Sequence, residues 1–172
     1  MNDITIVGYV EIDGVRTFSD DTLRAVWMQL AADGTTYLFN KNEVSSRDEF
    51  IKFMKHENIH PAIAMVGKEI GGFGWLKNIE GNHAEANHIM FKKFWGKRTI
   101  EMAIALTKYW FQFKNELGKD LFDVLVGYTP RANEKACKFV DRIGWTALGI
   151  VPFLDEGNDM LISYAIRGEE NG

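Results

Sequence analysis

The chain has 172 residues, 46% of them hydrophobic, with a formal net charge of -4 and a pI near 5.6. This length and apolar share suit one domain spanning 1–172 with a sizeable core, and the acidic balance offers no general field for a phosphate backbone, so nucleic acid is not the expected partner. The only cysteine, Cys137, excludes an internal disulfide and a multi-cysteine zinc site, and suits a reducing compartment, of which the cytoplasm is the simplest.

Ile4 to Val10 open the chain as a strand. The opening MNDITIVGYVEIDG lacks the basic flank and apolar run of a signal peptide, and no stretch reaches about 18 consecutive apolar residues, so a soluble, unprocessed chain without a membrane span is expected. Ser19, Asp20 and Asp21 then supply a polar helix start, Leu23, Val26, Trp27, Leu30 and Ala31 repeat at helical spacing, and Gly34 ends the run. A second helix begins near Ser46, with Glu49 three residues on in a capping-box pattern and Phe50, Phe53 and Met54 as its apolar side. After His60-Pro61, AIAMV leads through a Gly67-Lys68 turn into Ile70 to Leu76, a predicted β-hairpin. The loop Asn78 to Asn82 precedes HAEANHIMF, whose mixed residues fit a strand with differently used faces.

From Thr99 the pattern is helical, with Met102, Leu106, Tyr109, Trp110, Phe113 and Leu117 on one side and Gly118 as its stop. LFDVLVGY is a nearly continuous apolar run, the kind a sheet covered on both faces requires. A helix with Ala136, Phe139, Val140 and Ile143 facing inward follows and closes at Gly144. Two strands, Ala147 to Phe153 and Met160 to Ile166, end the chain around the turn-rich Asp155-Glu156-Gly157-Asn158. The order β-α-α-β-β-β-α-β-α-β-β, without repeat or linker, predicts an α/β fold (α+β in some schemes).

That order resembles the GNAT superfamily of acyl-CoA-dependent N-acyltransferases, whose fold is one mixed central sheet of about six to seven strands flanked by four helices. Two segments carry the resemblance. Phe94-Trp95-Gly96-Lys97-Arg98-Thr99-Ile100-Glu101-Met102-Ala103 looks like the family's strand-to-helix turn, written R/Q-x-x-G-x-G/A and in one branch WGKGYATEA, whose backbone N–H groups cradle the coenzyme A pyrophosphate. Arg98 stands at the usual second Gly and Ile100 at the usual small residue; a side chain there obstructs close approach, or Arg98 turns outward and holds a phosphate. The second segment, Asn133 to Trp145, is similar to N-x-x-A/S-x-x-Φ-Φ/Y-x-x-x-G-F with Φ apolar, and the resemblance puts Asn133 beside the pantetheine arm or a bound water. Many members carry a Tyr that protonates the departing thiolate; Val140 stands in its place.

The resemblance implies acetyl transfer from acetyl-CoA, as co-substrate, to a primary amine of an acceptor that the sequence does not name. Residues Ile89, Met90 and Phe91 would serve the thioester carbonyl, and Trp95, Gly96, Lys97, Arg98, Thr99, Ile100 and Asn133 the rest of the coenzyme. Glu85 and His88 are the candidate bases, direct or through water, and strand alternation places them on opposite faces. Glu85 is preferred by analogy, with a solvated strand residue as its plainer reading. Split faces and the missing HExxH pattern argue against a metal at His83, Glu85 and His88. The rival reading is a catalytically inactive GNAT-like binding or assembly protein, and the chain also resembles small acetyltransferase-like proteins of bacteriophages. A nucleic-acid binder would need Lys92, Lys93, Lys97 and Arg98 on one basic face without a cleft. Strand edges beside the cleft would suit a homodimer.

Overall fold

In the computed structural model of the chain, residues 3–42, 44–155 and 157–169 are described. Seven strands form one mixed sheet: β1 (Ile4–Gly8), β4 (His60–Val66), β5 (Glu69–Glu80), β6 (His83–Met90), β7 (Val124–Pro130), β9 (Asn158–Ile166) and β8 (Thr146–Asp155), in that spatial order. Every neighbouring pair is antiparallel except β6 with β7. The helices are α1 (Asp20–Asp33), α2 (Arg47–Met54), α3 (Lys97–Phe111) and α4 (Glu134–Arg142), with 3-10 turns at Thr36–Asn42 and Lys92–Phe94.

The helix starts are chemically explicit. Ser19 caps α1, whose last turn ends on Gly34 at φ 67, and Ser46 with Glu49 forms the complete capping box of α2. Between β1 and α1, Glu11–Ile12 (β2) and Val15–Arg16 (β3) make a small hairpin about Asp13-Gly14, an element additional to the predicted order. Asp-Gly between Ile12 and Val15 is the signal for it.

Two apolar clusters sandwich the sheet unequally. On one face α1, α2 and Phe39 pack on β4, β5 and β6, with Phe39, Phe73 and Trp75 stacked at 5.1 to 6.1 Å. On the other face α3 and α4 pack on β4, β6, β7 and β9, centred on Trp110 and Leu106. Trp110 lies so close to the sheet that a Cβ on Gly74 would stand 2.7 Å from its ring. The expectation that β7 is covered on both faces is corrected: Leu125 is buried, whereas Tyr128 is 43% exposed and Val124 and Val126 are only partly buried. The α3 pattern also stops earlier than its spacing suggested. Leu117 lies past the helix and is 81% exposed, because Asn115 takes the N–H groups of Leu117 and Lys119 on its side chain and folds the chain into a local turn.

Candidate functional site

The seam of the sheet is its parallel pair. β6 and β7 are in register only at His83–Val124, Ala84–Leu125 and Glu85–Val126, although each strand stays paired with its other neighbour to its end. Past Glu85 and Val126 the two strands therefore part, leaving a gap that opens toward their carboxyl ends. Because they run the same way, the helices that follow them, α3 and α4, both begin at the mouth of that gap.

Main-chain direction along β6 follows from two bonds. Phe91 N–H donates to Gly71 O at 2.9 Å, on the β5 side, and Asn82 O accepts from Asp123 N–H at 2.8 Å, on the β7 side. Alternation then turns the N–H and C=O groups of His88 and Met90 into the gap, and those of Ile89 and Phe91 away from it. Of the three residues expected to meet a thioester carbonyl, Met90 is the one that points its N–H there. On β7, Arg131 N–H donates to Asp159 O of the β9 segment, so Tyr128 is the residue whose main chain faces the gap. Left without a neighbouring strand, these groups offer an extended ligand the bonds of a missing strand.

At the mouth, α3 starts on Gly96, at φ 113, with no side chain capping its first N–H groups. An L side chain is strained at that φ, so glycine is what lets the chain turn here and leave the helix end open. Thr99 Oγ1 donates to Phe94 O at 3.1 Å and closes the loop. Arg98 pairs with Asp3 at 2.9 Å and Glu101 at 3.1 Å, and Ile100 packs against the α3 core, so both bulky replacements are engaged within the protein. Lys97 reaches Glu101 at 3.7 Å with its side chain 90% exposed. Trp95 donates its indole N–H to Met90 O at 3.0 Å. On the other side of the mouth Asn133 caps α4, accepting from Ala136 N–H at 3.1 Å, and Val140 is buried.

Glu85 and His88 sit on opposite faces of β6. Glu85 is at the apex, in the last pair before the strands part, with its carboxylate held by Lys77 at 3.1 Å, Asn78 at 2.8 Å and Asn87 at 3.4 Å. Asn78 gets there because β5 slips register after Lys77 and the residue adopts φ 49. His88 is in a different setting from the exchangeable base that the sequence suggested. Its ring lies 5.2 Å from Trp110 and 5.5 Å from Trp145, and its Nε2 is sealed from solvent without a hydrogen-bond partner among the described residues. Burial in this aromatic cage lowers its pKa to about 4, leaving a neutral imidazole at neutral pH. The residues that surround Glu85, and the Trp95 bond to Met90, escaped the sequence reading because they depend on cross-strand register. Asp33 escaped it too: this buried carboxylate at the end of α1 accepts Lys92 N–H at 2.8 Å and Gln29 Nε2 at 3.0 Å, tying α1 to the loop before Gly96.

The sequence matches no family model and no curated protein. The fold, by contrast, is shared with solved structures. RimL, a ribosomal L7/L12 alpha-N-protein acetyltransferase, superposes with a TM-score of 0.69 at 14% identity over 88% of each chain. A spermidine N-acetyltransferase SpeG chimera from Vibrio cholerae gives 0.69 at 14% identity over 98% of each chain. The microcin C7 self-immunity acetyltransferase MccE, solved with acetyl-CoA and AMP, gives 0.69 at 14% identity over 96% of this chain and 93% of its own. The chain thus has the GNAT fold of N-acetyltransferases. No helix among the described residues is long and apolar enough to cross a membrane.

Proposed function

We propose that the protein is an acetyl-CoA-dependent N-acetyltransferase that acetylates a primary amine. The observation that carries this reading is the parting of β6 and β7 just beyond Glu85 and Val126, with the uncapped start of α3 at the mouth of the gap. An extended ligand with amide groups fits the main chain of His88 and Tyr128 and the N–H of Met90, and its pyrophosphate fits the N–H groups and dipole of α3 at Gly96 to Ile100. RimL and MccE, which share the fold, are solved with coenzyme A and with acetyl-CoA. In direct transfer the amine nitrogen attacks the thioester carbon, the C–S bond breaks, the amine loses a proton and the thiolate gains one. We assign the proton-accepting role to Glu85, acting through water, because it stands at the apex of the gap, and not to the caged His88. With Val140 at the position where many members of the family it resembles carry Tyr, the thiolate takes its proton from solvent.

Calorimetry with acetyl-CoA tests the reading, using the wild type and the folded Gly96→Pro variant. Saturable binding by the wild type with at least tenfold loss in the variant is expected, followed by acetyl-CoA-dependent thiol release in a screen of amines. A folded wild type that binds no acetyl-CoA favours the second reading, a GNAT-fold binding or assembly protein. The occupied Met90 carbonyl and the buried Val140 are the observations that support it.

A further inference from the structure

Trp95 is out of keeping with the aromatic residues around it. Trp110 and Trp145 are buried and fill the core between α3, α4 and the sheet. Trp95 is 54% exposed, yet its indole N–H is committed to Met90 O at 3.0 Å. Single exposed apolar side chains are common on protein surfaces; what sets Trp95 apart is the acceptor that its indole occupies. Met90 O is one of the few main-chain acceptors that β6 directs into the gap, since alternation from Phe91 N–H turns it away from β5. The indole therefore occupies the place at which the N–H of an extended ligand would pair with β6.

The loop that carries Trp95 is anchored on both sides. Gly96 follows it at φ 113, while before it Asp33 holds Lys92 N–H and Phe94 O is held by Thr99. Lys92 Nζ lies 5.9 Å from the Trp95 ring centroid. Rotation about the Trp95 side-chain bonds alone frees the Met90 carbonyl and leaves the Asp33–Lys92 and Thr99–Phe94 bonds in place. We propose that Trp95 is a self-ligand of the gap: its indole N–H holds Met90 O in the empty protein and must yield that acceptor to an amide N–H of the incoming acyl-CoA. The inference rests on the acetyl-CoA reading above. It assigns to Trp95 a gating role, in which the residue weakens coenzyme binding by competing with it.

Trp95→Phe keeps an aromatic ring and removes the donor together with the rest of the pyrrole ring. Acetyl-CoA is titrated against wild type and Trp95→Phe by calorimetry, and the indole N–H signals of the five Trp are followed by 15N NMR, with the variant identifying that of Trp95. A competing bond of ordinary strength predicts that the variant binds about fivefold more tightly. It also predicts that the Trp95 indole signal of the wild type moves with saturation. Equal or weaker binding by the folded variant, or an indole signal that ignores saturating acetyl-CoA, overturns the gate while leaving the coenzyme reading intact. If neither protein binds acetyl-CoA, the coenzyme reading falls and the gate falls with it.

Discussion

The two halves of the sheet are built to different rules. β1, β4, β5 and β6 are covered on one face by α1 and α2 and on the other mainly by α3, and their core side chains stack on both sides. β7 and β9 carry Leu125 and Ala165 under α3 and α4, with Trp145 just before β8, but none of their described residues belongs to the opposite cluster, and Tyr128 is exposed. Within the sheet the halves meet along only three residue pairs of β6 and β7. Burial supplies most of folding stability, so the first half should hold the molecule together and the second should leave a face and a seam free for ligands.

The largest effect that would break this comparison is a truncation at Trp110. Its side chain is fully buried, against Gly74 and His88, and Trp110→Ala should cost about 3 to 5 kcal/mol of unfolding free energy. Tyr128→Ala on the uncovered face should cost less than about 1 kcal/mol. Urea denaturation of the two variants compares the packed face with the uncovered one, and similar losses would mean that both faces carry the load.

A pH titration sharpens the same contrast within β6, because its two faces hold titratable groups in opposite circumstances. Glu85 is surrounded by donors; His88 is caged by two indoles. The His88 pKa falls from its ordinary 6.5 to about 4 on folding because burial penalises the imidazolium. Between those values the unfolded chain binds the extra proton, so stability should drop as pH falls from about 6.5 to about 4 and the loss should level off below. The drop amounts to at most about 3 kcal/mol. Half-buried His60, lowered by the same cause, adds in the same direction. His88→Phe keeps an aromatic ring in the cage, and its urea midpoint should be flatter with pH over that window than the wild type's. An unchanged slope would place the titrating group elsewhere.

Periodicity and punctuation were enough to read the four helices and most strands from the sequence, since caps such as Ser19, Ser46 and Gly34 act locally. The end of α3 was misjudged because Asn115 offers the backbone a competing turn, and Leu117 kept helical spacing by coincidence. The turn into α3 at Gly96 was legible from the sequence, and so was the placement of Glu85 and His88 on opposite faces, a consequence of the two-residue period of a strand. Register was not legible. Which main-chain groups face the gap, which amides surround Glu85, and where Asp33 lands all depend on how distant strands align, and no local signal encodes that alignment.

Asp33 supplies the smallest and most local test of the seam. It belongs to the helix layer of the covered half, but the N–H that it accepts belongs to Lys92, three residues before Trp95. A buried carboxylate that satisfies a main-chain donor leaves that donor stranded when it is removed, at about 1 to 2 kcal/mol. Ser46→Ala removes a comparable bond at the start of α2, remote in sequence from the loop, and should cost about 1 kcal/mol. Amide hydrogen exchange distinguishes the two. Asp33→Ala should accelerate exchange at residues 92–95 and weaken acetyl-CoA binding by a few fold, whereas Ser46→Ala should loosen only the first turn of α2. If Ser46→Ala disturbed residues 92–95 as much as Asp33→Ala does, the loop would be coupled to the helix layer as a whole and not through this one carboxylate.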